Sequence, residues 1–394
     1  MAPPSTLSLP QETLEAILKC LMEPPALQGV IPSSVRENVK SASLLHPRTS
    51  LYCQAYLYRQ ISVHGTRTPQ IWNEVFEKSP HLAALVQTVV VMKATSAWTS
   101  DMAPFMHHLT YPKITLKIAE SSLNVLAEYG DIYKSVNMVV LEFCDYHDTH
   151  LRLCLRLWKR LVCLEMRSVH RRVLGTCVRP LPPSLSLSSS PPMLKRLVYS
   201  RQSGQGGLLG QGNHRAWILV SLSHLQSFEI TLRELFFQDV MEIIDVARMS
   251  LQSLALNLVL PSTDNTLTLN LPLPHLQTLQ LSDVSHHFPR VLQIIQSIPL
   301  TAPLLEFSLN LRVSDSSDVV FHEHVWEELV IWCKGRATVH SFRSITVTIS
   351  YHQYNRYHVS GPANVLRDKI SAYLADMLPE VTVALVIERP HRRE

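Results

Sequence analysis

One short pattern recurs through most of this chain and limits what it can fold into: an apolar residue, two of any kind, a second apolar residue, one of any kind, and a third. It occurs at Val86/Val89/Val91, Val136/Val139/Leu141, Leu161/Leu164/Met166, Leu194/Leu197/Tyr199 and Leu225/Phe228/Ile230. It returns at Leu251/Leu254/Leu256, Leu276/Leu279/Leu281, Leu304/Phe307/Leu309, Phe342/Ile345/Val347 and Leu378/Val381/Val383. The final spacing of two puts side chains on one face of a strand. Starts are separated by 50, 25, 33, 31, 26, 25, 28, 38 and 36 residues. With 46% apolar residues, chance matches are expected, but the text around the matches is also alike. His-Leu-Gln-Ser-Phe-Glu-Ile begins at His224, Ser-Leu-Gln-Ser-Leu-Ala-Leu at Ser250 and His-Leu-Gln-Thr-Leu-Gln-Leu at His275. Between them lie segments with helical spacing, at Glu234–Arg248, Phe288–Ile298, Glu323–Lys334 and Asn364–Met377. Strand, turn and helix repeated in this way cannot bury an apolar face alone and must stack on neighbours.

The pattern resembles the strand segment of a leucine-rich repeat. The Asn or Cys that follows the strand in that family is matched clearly only by Cys144. Elsewhere the turns must satisfy their backbone groups differently, so an irregular array is expected from residue 64 to 394. The 50-residue first interval should hold two units. Stretches 175–192 and 201–213, rich in Pro/Ser and in Gly, read as mobile loops beside the array.

The first sixty residues have a different character. Residues 1–8 read as a flexible leader. Leu14, Ile17, Leu18 and Leu21 fall on one face of a helix over about 10–22. Ser8 with Gln11 forms a capping-box pattern and Pro10 suits a first turn. A second helical stretch begins near Ser33, with Val35, Val39, Ala42 and Leu45 on one face, and Pro47 breaks it. A third runs through Leu51, Ala55 and Leu57 to a short strand, Ile61-Ser62-Val63. Segment 9–63 resembles an F-box in Leu9-Pro10-x-Glu12-x-Leu14-x-x-Ile17-Leu18-x-x-Leu21, in Ser43-Leu44-Leu45 and in Leu57-Tyr58-x-x-Ile61-x-Val63. His46 stands where the family has Cys, and no Trp precedes Leu51. The flavour is that of the large divergent fungal F-box families.

The resemblances imply a fold of mixed α+β and α/β repeat class: a small N-terminal three-helix F-box-like domain, then an irregular leucine-rich-repeat-like solenoid. They imply a substrate-recognition adaptor of a cullin ubiquitin ligase. Leu9, Pro10, Leu14, Ile17, Leu18, Leu21, Leu44 and Leu45 would meet the Skp-type linker, and through it a cullin, while the repeat domain would hold a target protein. The alternative is a repeat-type interaction scaffold outside any ligase.

No residue pattern points to catalysis or to a cofactor. Gly204-x-Gly206 lacks the third glycine and the following Lys-Ser/Thr of a phosphate loop. His322-Glu323-His324 puts its two histidines on different helix faces. There is no Gly-x-Ser-x-Gly. Asp239, Glu242 and Asp245 read as a solvated acidic stripe, and the basic run from Arg167 to Arg179 as a solvated turn. Seven dispersed cysteines without Cys-x-x-Cys suggest free thiols in a reducing compartment. A net charge of +4 with scattered Lys and Arg gives no basis for nucleic-acid binding. No signal sequence or membrane-length apolar run is apparent, so a cytoplasmic or nuclear protein is expected.

Overall fold

The computed structural model describes residues 16, 37, 39–41, 47–64, 68–92, 99–109, 114–120, 136–171, 191–200, 213–232, 237–258, 271–282, 288–313, 323–339, 342–351, 368–375, 378 and 382–388. It divides into two compact units, residues 1–146 with 153–160, and residues 147–152 with 161–394.

The first unit contains α1 (Pro47–Tyr58), β1 (Gln60–His64), α2 (Thr68–Lys78), α3 (Pro80–Ala83), β2 (Thr88–Met92), α4 (Thr99–His108), β3 (Ile114–Ala119), β4 (Val136–Glu142) and β5 (Asp145–Tyr146). β1, β2, β3 and β4 pair in that order, all parallel. A register shift between Ile114 and Thr115, whose partners are Val136 and Met138, leaves Asn137 as a bulge in β4. Ile61, Val63, Val89, Val91, Leu116, Ile118, Val139 and Leu141 are buried on one face. Trp72 stacks on Phe76 and Phe76 on Phe105, joining α2 to α4 at centroid distances of 5.6 and 6.0 Å. The Trp72 indole N–H donates to the Ser62 carbonyl, tying α2 to β1.

Helix α5 (Asp148–Leu157) is divided between the units. The second unit then contains β6 (Cys163–Arg167), β7 (His170–Arg171), β8 (Arg196–Ser200), α6 (Asn213–Leu222), β9 (Ser227–Leu232), α7 (Phe237–Ala247), β10 (Ser253–Leu258) and β11 (Thr278–Ser282). It continues through α8 (Phe288–Ser297), β12 (Glu306–Val313), α9 (Glu323–Val339), β13 (Ser344–Tyr351) and β14 (Thr382–Glu388). From β6 through β8 to β14, each of these strands pairs in parallel with the next. Parallel crossovers are right-handed as a rule, so winding always in one direction puts every connecting helix on the same face. The helices match: Val240, Ile243, Ile244 and Ala247 of α7, and Val291, Ile294 and Ile295 of α8, are buried at helical spacing.

The expected fold class is corrected by this arrangement. The described chain is α/β, built on parallel sheets with helices in the connections, and not a three-helix domain followed by an irregular leucine-rich-repeat-like solenoid. Strand β1, the tail of the presumed helical domain, is hydrogen-bonded into a parallel sheet with β2.

The irregularity was expected because the turn Asn is missing, yet the backbone satisfies itself in a regular way. The carbonyl just before a strand accepts two amides from the start of the next. Val162 accepts from Lys195 and Arg196, Lys195 from Gln226 and Ser227, Gln226 from Gln252 and Ser253, and Gln252 from Gln277 and Thr278. Gln277 and Leu305 continue the series. Serines serve other carbonyls: Ser250 Oγ lies 2.9 Å from the Leu225 oxygen, and Ser297 Oγ donates to Ile294 while accepting from the Leu271 amide. Cys144 Sγ takes the role its position suggested, 3.2 Å from the Ile118 carbonyl. A left-handed residue follows three of the strands, at Glu120, Phe143 and Ser168, with φ of 50°, 51° and 52°. No helix among the described residues is long and apolar enough to cross a membrane.

Candidate functional site

Helices on one face of the second unit's sheet leave the other face without helical cover among the described residues. Along each strand, the residues between the buried ones belong to it. Register aligns them into rows. One row runs Ser227, Ser253, Thr278, Glu306, Ser344. The next runs Glu229, Ala255, Gln280, Ser308, Thr346, and a third Thr231, Asn257, Ser282, Asn310, Thr348. These positions carry hydroxyls, amides, one methyl and two carboxylates, with no aromatic ring and no cation. Glu229, Gln280 and Glu306 are exposed and the others are half-buried. Small polar side chains here keep the face wettable, while the alternating Leu, Ile, Phe and Val hold the sheet to its helices.

At the β6 and β8 end the same face is charged. Glu165 is buried, and its carboxylate takes an ion pair from Arg167 at 2.6 Å and lies 3.7 Å from Arg196. Glu165 and Arg167 are two apart on one strand, which puts both on one face. Arg196 reaches on to Glu229 at 4.0 Å. Arg167, expected in a solvated basic turn, is exposed but ends strand β6 and carries the ion pair with Glu165, while Arg172 to Arg179 lie outside the described residues. Cys163 completes this corner. Burial, assisted by the Glu165 charge, pushes its thiol up to about 11, so it stays protonated at neutral pH and is a poor nucleophile.

Two further ionic devices lie away from the open face. Arg215 of α6 donates from Nε to Glu242 of α7 at 2.7 Å and lies 3.3 Å from Asp239. Two members of the presumed solvated stripe are therefore an interhelical clamp. Arg336 is fully buried in α9 and donates to the Ile298 and Ala302 carbonyls at 2.7 and 3.2 Å. None of these groups forms a nucleophile–base pair. Among the described residues, no group of three or more His, Cys, Asp or Glu could hold a metal ion.

The residues expected to meet a Skp-type linker, Leu9, Pro10, Leu14, Ile17, Leu18, Leu21, Leu44 and Leu45, lie outside the described residues, as do 175–190 and 201–212. The polar open face escaped the sequence reading, although a signal was present. The positions that alternate with the buried ones along the strands from Ser227 to Thr348 are mostly Ser, Thr, Asn or Gln, the exceptions in the three rows being Glu229, Ala255 and Glu306.

No protein-family model matches this chain, and no curated protein matches it.

Proposed function

We propose that this chain is a non-catalytic adaptor. Its N-terminal segment docks on the Skp-type linker of a cullin ubiquitin ligase, and the open sheet face of its second unit holds a target protein. The observation that carries this reading is the pattern from Leu9 to Leu21, with its cap, its Leu-Pro-x-Glu opening and its single apolar face. A short amphipathic helix of this kind is marginal alone and gains stability by burying its stripe. The open polar face supports the second half, since it offers a broad surface without catalytic groups. The adaptor then acts by raising the effective concentration of a target near the transfer machinery.

The deciding experiment is capture of the full chain by purified Skp-type linker, beside a Leu14→Asp/Leu18→Asp variant. Saturable binding lost in the variant supports the adaptor. Absence of binding by a folded wild-type chain refutes it. That result would favour an interaction scaffold outside any ligase, a reading to which His46 and the missing Trp already lend weight.

A further inference from the structure

From the three polar rows of the second unit we infer what kind of target segment that face takes: an extended, polar, cationic stretch of polypeptide with two basic residues four positions apart. This rests on the adaptor reading only in calling the occupant a target; the surface chemistry is independent of it.

Three features of the face select this occupant. From β9 to β13 the three rows lack aromatic rings and large aliphatic side chains, so they offer neither stacking platforms for sugars and bases nor a pocket for an apolar helix. The rows hold no cation, which disfavours phosphate-bearing partners; Arg312 of β12 stands one row beyond Asn310, in register with Ser350. The exposed charges of the rows are both negative, Glu229 and Glu306. Between them stand Gln280 and small hydroxyls, which can exchange hydrogen bonds with a peptide backbone. The neighbouring Arg167 and Arg196 already face Glu165, and Arg196 touches only the edge of this patch at Glu229.

The spacing follows from the register. Glu229 and Ser308 share a row three strand steps apart, and Glu306 lies two residues before Ser308 on β12. With about 4.8 Å per strand step and about 3.3 Å per residue along a strand, the two carboxylates are separated by about 16 Å. An extended peptide presents residues i and i+4 on the same side at about 13 Å, and the reach of Lys or Arg side chains covers the difference. Spacings of three or five would turn one cation away from the sheet. The whole chain carries a net charge of +4. General attraction therefore works against a cationic ligand, and any preference for one must be local.

The test uses the full chain and fluorescein-labelled twelve-residue peptides of Ser, Thr, Gln and Gly. One carries two arginines four apart, a second two arginines three apart, and a third two glutamates four apart. Fluorescence anisotropy should show saturable binding of the first, at least tenfold tighter than of the other two. Glu229→Gln/Glu306→Gln should weaken that binding at least tenfold while leaving the circular dichroism and melting curve of the chain unchanged. Equal binding of all three peptides, no binding of the first, or indifference to the double substitution overturns the inference. The same variant should still be captured by the Skp-type linker. Peptide binding without linker capture would refute the adaptor and leave this inference standing; linker capture without peptide binding would do the reverse.

Discussion

Arg336 offers the sharpest test of how the second unit is held together. The apolar stripe of α9 runs Trp326, Leu329, Val330, Cys333, and the same helical face brings Arg336 into the core, fully buried. Its guanidinium donates to the carbonyls of Ile298 and Ala302, just past the C-terminal end of α8, and lies 5.0 Å from the Trp332 ring centre. Arg336→Met keeps the bulk and removes the charge. Two hydrogen bonds from a charged donor, worth about 1.5–3 kcal/mol each, are lost, and two carbonyls are left without those donors. A cation–π contact worth about 0.5–2 kcal/mol also goes. Against this stands the cost of holding an arginine charge out of water, several kcal/mol, which the substitution relieves. That cost is visible as burial lowering the guanidinium's proton affinity. The balance is a destabilisation of about 2–4 kcal/mol. Arg336→Lys should be no rescue, because an ammonium cannot span both carbonyls while lying flat on the indole. Hydrogen exchange resolved by peptide is the suitable assay, since two units need not unfold together. Amides of Phe288–Ser297 should exchange about 30- to 700-fold faster in Arg336→Met, with the first unit unaffected. Unchanged or slower exchange there would refute the reasoning, and would mean that desolvation outweighs the two hydrogen bonds.

The interhelical clamp should show a small, pH-dependent coupling. The hydrogen bond from Arg215 holds the Glu242 carboxyl below its usual range, so its contribution is full above about 4.5 and fades as pH falls through the lowered value. With both side chains about a third exposed, a double-mutant cycle of Arg215→Ala and Glu242→Ala should give about 0.5–1 kcal/mol at neutral pH and near zero at strongly acidic pH. Ser168→Gly should stabilise the chain by about 0.5–1 kcal/mol in a denaturant melt, since a left-handed residue at φ 52° is strained with a Cβ and relaxed without one. Iodoacetamide labelling read by mass spectrometry should find Cys163 about a hundredfold less reactive at pH 8 than a thiol near 9, and Cys154 and Cys333 labelled only after unfolding.

Local periodicity was legible in the sequence and long-range satisfaction was not. Leu251, Leu254 and Leu256 are all buried, as are Leu276, Leu279 and Leu281, because a spacing of two on a strand and an adjoining turn position are properties of the chain itself. Strand β3, inside the 50-residue gap, was missed because Lys113 stands three residues before Leu116, where the pattern asks for an apolar side chain. The devices that replace the turn Asn are separated from their partners by 27 residues at Ser250 and Ser223, and by 38 at Arg336 and Ile298. No local pattern reveals them. The same distance hid Arg215 from Glu242, 27 residues away, and left Asp239 and Glu242 looking like a solvated stripe. The candidate linker-binding residues were legible only through a family resemblance.

The topology explains why stability and recognition can be separated in the second unit. Because successive strands add in one direction, the helices, the buried Leu and Phe positions and the Arg215 and Arg336 ties all belong to the covered side. The open rows carry short polar side chains whose removal uncovers little apolar surface, so substitutions there stay within about 0.5 kcal/mol of wild type. A change at Glu229 or Glu306 therefore alters what the face attracts without altering whether the sheet forms. A change at Leu254 or Phe307, both fully buried, does the opposite at a cost of about 2–5 kcal/mol. Melting and binding measured on these two classes of variant should move independently. If open-face substitutions melted the chain as readily as core ones, the face would be packed against something, and its polarity would be structural.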